Sequence, residues 1–456
     1  MERIAALVHL GCAKNLVDSE TVVAQLINMG YSMTSDPAEA SLIVVNTCGF
    51  LQSAVEEAID NILELSRYKD AGVCEQLLVI GCMVQRYGKK LLPLLPEVDV
   101  FVGTSYYQNL GDIHPFQPPP GAQRLWLGRP GNLSDSRTPR IRSTPFYSAY
   151  LKIAEGCNNR CSFCLIPQLR GPLRSRPVPD IVAEASQMVA EGVVEINLIA
   201  QDITAYGCDR DDRMQLVQLL EALESLQGLA WVRLLYAFPG RITDSLLTTM
   251  AQSQKIVPYL DLPIQHCVPG ILQAMHRGGP LPNYEKLAER IRMLLPEVAL
   301  RTSIMVGFPG ETDADFGELL RFVERVQFDH VGVFRFSPEA GTRAAKLSGQ
   351  VPDEIKQQRY HQLLELQRTI SGKRLQRWIG KTLPVLIEGF HPETELLLAG
   401  RMPAQAPEVD GIAIITKGVS HPGEIRSVRI TAAADYDVIG ELVDFRTEPS
   451  LLREIP

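Results

Sequence analysis

At 456 residues the chain exceeds one ordinary hydrophobic core and fits about three domains. Hydrophobic residues make up 45% and charged residues 21%, and no apolar run approaches the roughly 18 residues that a spanning helix needs, so a membrane protein is excluded. A net charge of −8 and a pI near 5.6 argue against naked nucleic acid as a partner and favour a basic protein.

The start, Ile4 to Leu10 followed by Gly11-Cys12, loosely imitates a lipoprotein signal. Glu2 offsets Arg3, however, and the apolar stretch before His9 is about five residues where a secretory core needs at least about seven. The segment reads as a first β-strand. Helical and strand patterns then alternate: Asn15–Met29, Leu42–Asn46, Leu51–Arg67, Leu77–Ile80, Val84–Leu91 and Val98–Val102. That alternation predicts an open parallel α/β domain with crossover helices over residues 1–120. HPFQPPPG from His114 to Gly121, and the polar, Gly/Pro-rich stretch Gly128 to Pro139, predict a linker at 121–142.

A second series, assigned to residues 143–375, carries strand candidates Tyr150–Ala154, Glu195–Ala200, Trp231–Tyr236, Tyr259–Leu262, Ala299–Val306 and Val331–Phe336. Six β/α units are too few for a complete eight-fold barrel, so a partial (β/α) barrel is expected. An amphipathic helix over roughly Asp353–Trp378 closes it. From 376 to 446 short strands follow without helices (Thr382–Glu388, Gly411–Thr416, Glu424–Ala432, Asp437–Glu441), which predicts a small antiparallel β-barrel. No repeat of solenoid period is present.

Nine cysteines are an odd number for a disulfide framework, and in so long a chain they point to metal or catalytic work in a reducing compartment, with the cytoplasm expected. Cys157, Cys161 and Cys164 form C-x3-C-x2-C just beyond a strand. Three thiolates can ligate three irons of a 4Fe-4S cube and leave one iron open, which is where a substrate can bind. A zinc site is the alternative, but its usual paired C-x2-C and a fourth ligand are missing nearby. Cys12, Cys48 and Cys82 each follow a strand of the first domain. Ligands collect at the carboxyl ends of strands in an open parallel sheet, so these three could converge on a second site-open cluster; burial of each as a small apolar side chain is the alternative. Cys74, Cys208 and Cys267 share no ligand spacing and are read as buried or incidental.

The segment EGCNNRCSFCLIP resembles the radical S-adenosylmethionine (SAM) superfamily, whose signature is this three-cysteine spacing with an aromatic residue, here Phe163, before the last cysteine. The resemblance implies that SAM chelates the open iron and yields a 5′-deoxyadenosyl radical. It also implies SAM contacts in QDITAYG (201–207), Arg301-Thr302-Ser303 and VGFPGET (306–312), with Phe163, Gln201 and Thr302 the assigned residues; ordinary turn chemistry is the alternative for each. No catalytic side chain beyond the cluster ligands is singled out.

Taken together, a three-cysteine first domain, a radical SAM domain and a terminal barrel resemble the methylthiotransferases over nearly the whole chain. That family implies two 4Fe-4S clusters, a terminal TRAM domain for substrate recognition, and sulfur insertion at an unactivated carbon. LGCAKNLVDSE (10–20), YLKIAEGCNNRCSFCLIPQLRG (150–171) and YLDLPIQH (259–266) look like the branch that modifies the β-carbon of an aspartate in the twelfth small-subunit ribosomal protein. The alternatives are a tRNA adenosine methylthiotransferase with the same clusters and a non-catalytic electron-transfer protein. A small donor such as flavodoxin or ferredoxin is implied as electron source, with RNA contact only indirect, through a ribosome. Ten acidic residues against six basic ones between Gln376 and Phe445 suit a barrel that attracts a basic protein better than one that grips RNA. A solvated, solubilising surface is the bland reading of those charges.

Overall fold

The computed structural model describes residues 3–113, 116, 124–211, 215–277 and 283–443. Most of the expected Pro-rich stretch at 114–121 lies outside the described residues.

The first sheet has six parallel strands in the order β2-β1-β3-β4-β5-β6. They are β1 (Ile4–His9), β2 (Ser32–Thr34), β3 (Leu42–Thr47), β4 (Gln76–Gly81), β5 (Val100–Val102) and β6 (Leu125–Trp126). Its central strands are apolar on both faces because helices cover both, which is why LIVVNT reads as a continuous run and not an alternation. Period two then sorts the side chains. Ile43, Val45, Leu77 and Val79 face one core, and Leu42, Val44, Leu78 and Ile80 the other. The edge strands β2 and β6, of 3 and 2 residues, are too short to give a periodic signal and are absent from the sequence reading.

The second sheet, also parallel, runs in sequential order: β7 (Ser148–Lys152), β10 (Glu195–Ile199), β11 (Trp231–Leu234), β12 (Ile256–Asp261), β13 (Ala299–Val306) and β14 (His330–Arg335). The two-stranded pair β8 (Ala154–Glu155) and β9 (Arg174–Ser175) flanks the cysteine motif. Ala149, Leu151, Ile196 and Leu198 face the outer helices. Tyr150, Ile199, Trp231 and Tyr259 face inward and share a core with the terminal barrel.

That barrel is closed, in the order β15-β16-β17-β19-β18. Its strands are β15 (Thr382–His391), β16 (Thr394–Arg401), β17 (Ala413–Ile415), β18 (Ile425–Ala433) and β19 (Val438–Leu442). Two details depart from expectation. Strand β16 escapes the sequence reading because its first half exposes Glu395 and Leu396, the latter 90% exposed, and so breaks the alternation. The β17–β19 ladder is parallel, while the others are antiparallel.

The helix Asp353–Leu375 also differs from the amphipathic helix expected. Its buried stripe includes Lys356, Arg359, Gln367 and Ser371. Their donors are placed: Gln367 Nε2 donates to Phe328 O at 3.0 Å, Ser371 Oγ to Asp329 O at 2.7 Å, and Arg359 to Glu311 Oε1 at 3.0 Å, while Gln367 Oε1 is buried without a hydrogen-bond partner among the described residues.

Charge joins the terminal barrel to the central sheet. Glu195 accepts from Arg233 at 3.1 Å and from Arg401 at 3.0 and 2.6 Å, all three residues being buried. Burial works against the Glu195 carboxylate, but Arg401 and Arg233 outweigh it and hold its pKa at about 2. Asp410, counted in the sequence as part of an acidic surface, instead inserts a side chain only 1% exposed. It accepts from Tyr259 Oη at 2.7 Å and from Ala406 N at 2.9 Å, with Arg301 and His330 each 3.4 Å away.

Candidate functional site

Cys12, Cys48 and Cys82 stand just beyond β1, β3 and β4, three adjacent strands. The loops carrying them touch. A Cβ built on Gly11 lies 3.3 Å from Cys48 Cβ, and one on Gly49 lies 2.5 Å from the Cys82 carbonyl. Only glycine lets the second approach occur. Burial pushes the Cys48 thiol up and the Cys82 thiol to about 12, and the neighbouring cysteines of the trio add to both shifts. A bound cation is what ionises sulfurs so placed.

The second trio lies on the loop 156–165, between β8 and the helix Ile166–Arg170. Gly156 opens it at φ +80°, and a Cβ there would lie 2.0 Å from Pro172 O. Asn159 N and Ile166 N each donate to a cysteine sulfur, Cys157 Sγ and Cys164 Sγ, at 3.4 Å. Burial raises the thiols of Cys157 and Cys164, the latter to about 12. Among the described residues no three His, Cys, Asp or Glu side chains close around a single metal ion. Two all-sulfur sets with N–H donors aimed at sulfur fit iron–sulfur clusters, in which each thiolate takes a different iron.

The segment QDITAYG folds against this loop. Asn159 Nδ2 donates to Asp202 Oδ2 at 2.8 Å, and Arg241 binds both residues. Gln201 Nε2 donates to Glu155 Oε1 at 2.6 Å, while its Oε1 is buried without a hydrogen-bond partner among the described residues. Phe163 is half-buried against the central core. Thr302 departs from the ligand-facing role expected of it. It is fully buried, donates to Leu262 O at 2.7 Å and accepts from Ile264 N at 3.3 Å, so its hydroxyl is committed to the chain. In VGFPGET, Glu311 Oε2 accepts from Gly307 N at 2.6 Å and Phe308 N at 3.1 Å, so that carboxylate serves its own turn.

Four charged residues missing from the sequence reading fill the space between the two trios. Lys152 Nζ donates to Asp18 at 2.5 Å and to Glu155 at 2.8 Å, and Arg170 reaches Asp18 and Glu155 from the other side. Burial disfavours the charge on Glu155, yet Lys152 and Arg170 win and hold its pKa below the usual range. Lys14, two residues after Cys12, lies with its ammonium 3.2 Å from the Tyr236 ring centroid, a further tie between the first and second sheets. No spacing signals the contacts to Asp18 or that of Lys14 with Tyr236, because those partners are more than a hundred residues apart.

The chain is 57% identical over 443 residues to a protein of Syntrophobacter fumaroxidans called ribosomal protein uS12 methylthiotransferase RimO, covering 97% of this chain and 99% of that one. The chain belongs to the RimO methylthiotransferase family. RimO proteins of Anaeromyxobacter sp. (strain K) and Geobacter sulfurreducens are each 48% identical, over 95% and 96% of this chain and 92% and 98% of theirs. Family models match in the order seen in the fold: the uncharacterized protein family UPF0004 at residues 5–103, the radical SAM superfamily at 151–323 and the TRAM domain at 379–443. As a radical SAM protein of the RimO family the chain uses iron–sulfur chemistry and SAM. Solved structures share the fold at low identity. The radical SAM methyltransferase TsrM from Kitasatospora setae superposes with a TM-score of 0.55 at 14% identity, covering 73% of each chain. The cobalamin-dependent enzyme OxsB gives 0.51 at 11% identity, covering 81% of this chain and 57% of that one. Among the described residues no helix is long and apolar enough to cross a membrane.

Proposed function

We propose that this chain is a radical SAM methylthiotransferase that inserts a methylthio group at the β-carbon of an aspartate in ribosomal protein uS12. The observation that carries the reading is the pair of three-thiol sites on adjacent sheets, bridged by one buried charge network, in a chain of RimO similarity throughout. Cys157, Cys161 and Cys164 hold one 4Fe-4S cluster, and Cys12, Cys48 and Cys82 hold the other. When bound, the clusters and SAM supply the sulfur and the radical that such a carbon requires, since no side-chain base reaches a proton so weakly acidic.

The protein's own part is positioning. Gln201 keeps a free carbonyl oxygen beside the cysteine loop, which supports it as a SAM contact, and Phe163, on that loop, packs it against the central core. The working units are residues 1–120, 143–375 and 376–446, with the segment 121–142 connecting the first two and lending β6 to the first sheet. The third orients a basic substrate through its exposed acidic residues, among them Glu393, Glu395 and Glu408. The enzyme works in the cytoplasm with a small electron donor of the flavodoxin or ferredoxin kind.

Mass spectrometry of ribosomal proteins and tRNA from cells lacking the gene tests the substrate. A uS12 aspartate that loses its methylthio group supports the reading, and a tRNA adenosine that loses it instead overturns the branch. Iron analysis tests the sites. Each cysteine triple alanine variant is expected to keep about four irons, and about eight after loss of Cys12, Cys48 and Cys82 would contradict the second site.

A further inference from the structure

Arg170 is 4% exposed, and its guanidinium spends every nitrogen on a different partner. Nε donates to Cys82 Sγ at 3.2 Å, one terminal nitrogen binds Asp18 and Glu155, and the other donates to Asn15 Oδ1 at 3.1 Å. Three of these partners belong to the first domain, Asn15 and Asp18 on the helix Ala13–Asn28 and Cys82 at the start of the helix Cys82–Tyr87, while Arg170 itself ends the helix that follows Cys164. The adjacent Gly171 accepts from Cys157 N at 3.1 Å. Residues 170 and 171 therefore bond to a cysteine of each trio at once. The Tyr107 ring, 5.7 Å from the guanidinium carbon, closes the remaining side.

We propose that Arg170 is a positioning residue that holds the two cysteine sites in register and, through its bond to Cys82 Sγ, sets the reduction potential of the cluster on Cys12, Cys48 and Cys82. The inference rests on the two-cluster reading above. A planar guanidinium presents its N–H groups in fixed directions, so it can satisfy a sulfur, a carboxylate and an amide simultaneously, which a lysine ammonium on a flexible stem cannot. A cationic donor on a ligand sulfur favours the more negative, reduced cluster and raises its potential. Asp18, on the far side of the guanidinium, acts with the opposite sign.

The test is a potentiometric titration, followed by electron paramagnetic resonance, of full-length reconstituted protein carrying Cys157→Ala, Cys161→Ala and Cys164→Ala, so that one cluster gives the signal. In that background Arg170→Gln is expected to move the midpoint to more negative potential and Asp18→Asn to more positive potential. Arg170→Lys, which keeps the charge without the fork, is expected to fall between parent and Arg170→Gln. Simple loosening of the interface would move Arg170→Gln and Asp18→Asn the same way, and that result, or an unchanged midpoint in Arg170→Gln, overturns the proposal. If Arg170→Gln retains no iron, the shifts of Arg170→Lys and Asp18→Asn decide, and an unchanged midpoint in both overturns it. A parent protein that itself binds no iron would instead remove the two-cluster reading, which separates the two failures.

Discussion

Gly156 is constrained twice, by its positive φ and by Pro172 O where a side chain would begin. Alanine there must shift the backbone leading into Cys157. We expect Gly156→Ala to cost at least about 2 kcal/mol and to lower iron at the second trio, read by thermal unfolding and iron analysis; wild-type values of both would show that the loop tolerates the change. A second residue-scale expectation concerns His266. Burial lowers its pKa to about 4, with Asp315 and Arg359 acting in opposite directions, and Nδ1 accepts from Val268 N at 3.0 Å, so the ring is neutral in the folded state. The unfolded chain gains a proton near pH 6.5 that the folded chain refuses until about pH 4, so stability falls as pH drops through that window. The loss is on the order of 3 kcal/mol, and His266→Gln should flatten the difference between unfolding midpoints at pH 7 and pH 5. At this scale the positions of six cysteines, three just beyond strand ends and three on one loop, were legible, because strand ends and the C-x3-C-x2-C spacing leave a local pattern. Arg170, Lys152 and Asp18 were not, since their roles arise only when two sheets meet, and Thr302 misled because a hydroxyl at a strand looks the same whether it faces a ligand or a carbonyl.

Elements were legible where they carry an unbroken apolar or alternating run. Ile4–His9, Leu42–Thr47 and Ala299–Val306 lie within a residue of their sequence readings, whereas β2, β6 and β16 were missed for want of a periodic run. The helix Asp353–Leu375 gives the sharpest disagreement. Its buried stripe has the right spacing and a polar composition, because it seals the carbonyls of Phe328 and Asp329 at the turn before β14. A reading by pattern would make Gln367→Leu neutral or stabilising. We expect it to destabilise by about 1–3 kcal/mol, since it leaves the buried Phe328 carbonyl without its side-chain donor while Asp329 O keeps Ser371, and urea unfolding of the cluster-free protein measures the difference.

For the whole molecule, the number and order of the units were legible from composition and periodicity, and their mutual packing was not. The buried Glu195 shows why: it pairs with Arg233 beside it in the sheet and with Arg401 from a strand some two hundred residues later. We expect Glu195→Gln, which leaves the buried Arg233 without a carboxylate and Arg401 with Glu388 alone, to cost about 3–5 kcal/mol and to expose the terminal barrel to limited proteolysis before the central sheet. The exposed acidic residues behave differently. Reversing Glu393, Glu395 and Glu408 to lysine should leave stability nearly unchanged and raise the apparent KM for a basic substrate more than it lowers kcat, with wild-type activity declining as salt screens the attraction. Asp410 does not belong in that set, because its carboxylate is locked against Tyr259.

The shared core between the inner face of the central sheet and residues 385–442 has a consequence for how the protein is made. Chains emerge from the ribosome amino-terminus first, and earlier units fold before later ones exist. Here the second unit leaves synthesis with Tyr150, Trp231 and Tyr259 uncovered and with Glu195 and Arg233 lacking Arg401. Only the last strands to be translated complete that surface. A chain stopped short of Thr382 would therefore carry both three-cysteine motifs and still display a sticky, uncovered face, the kind of species that chaperones hold and proteases remove.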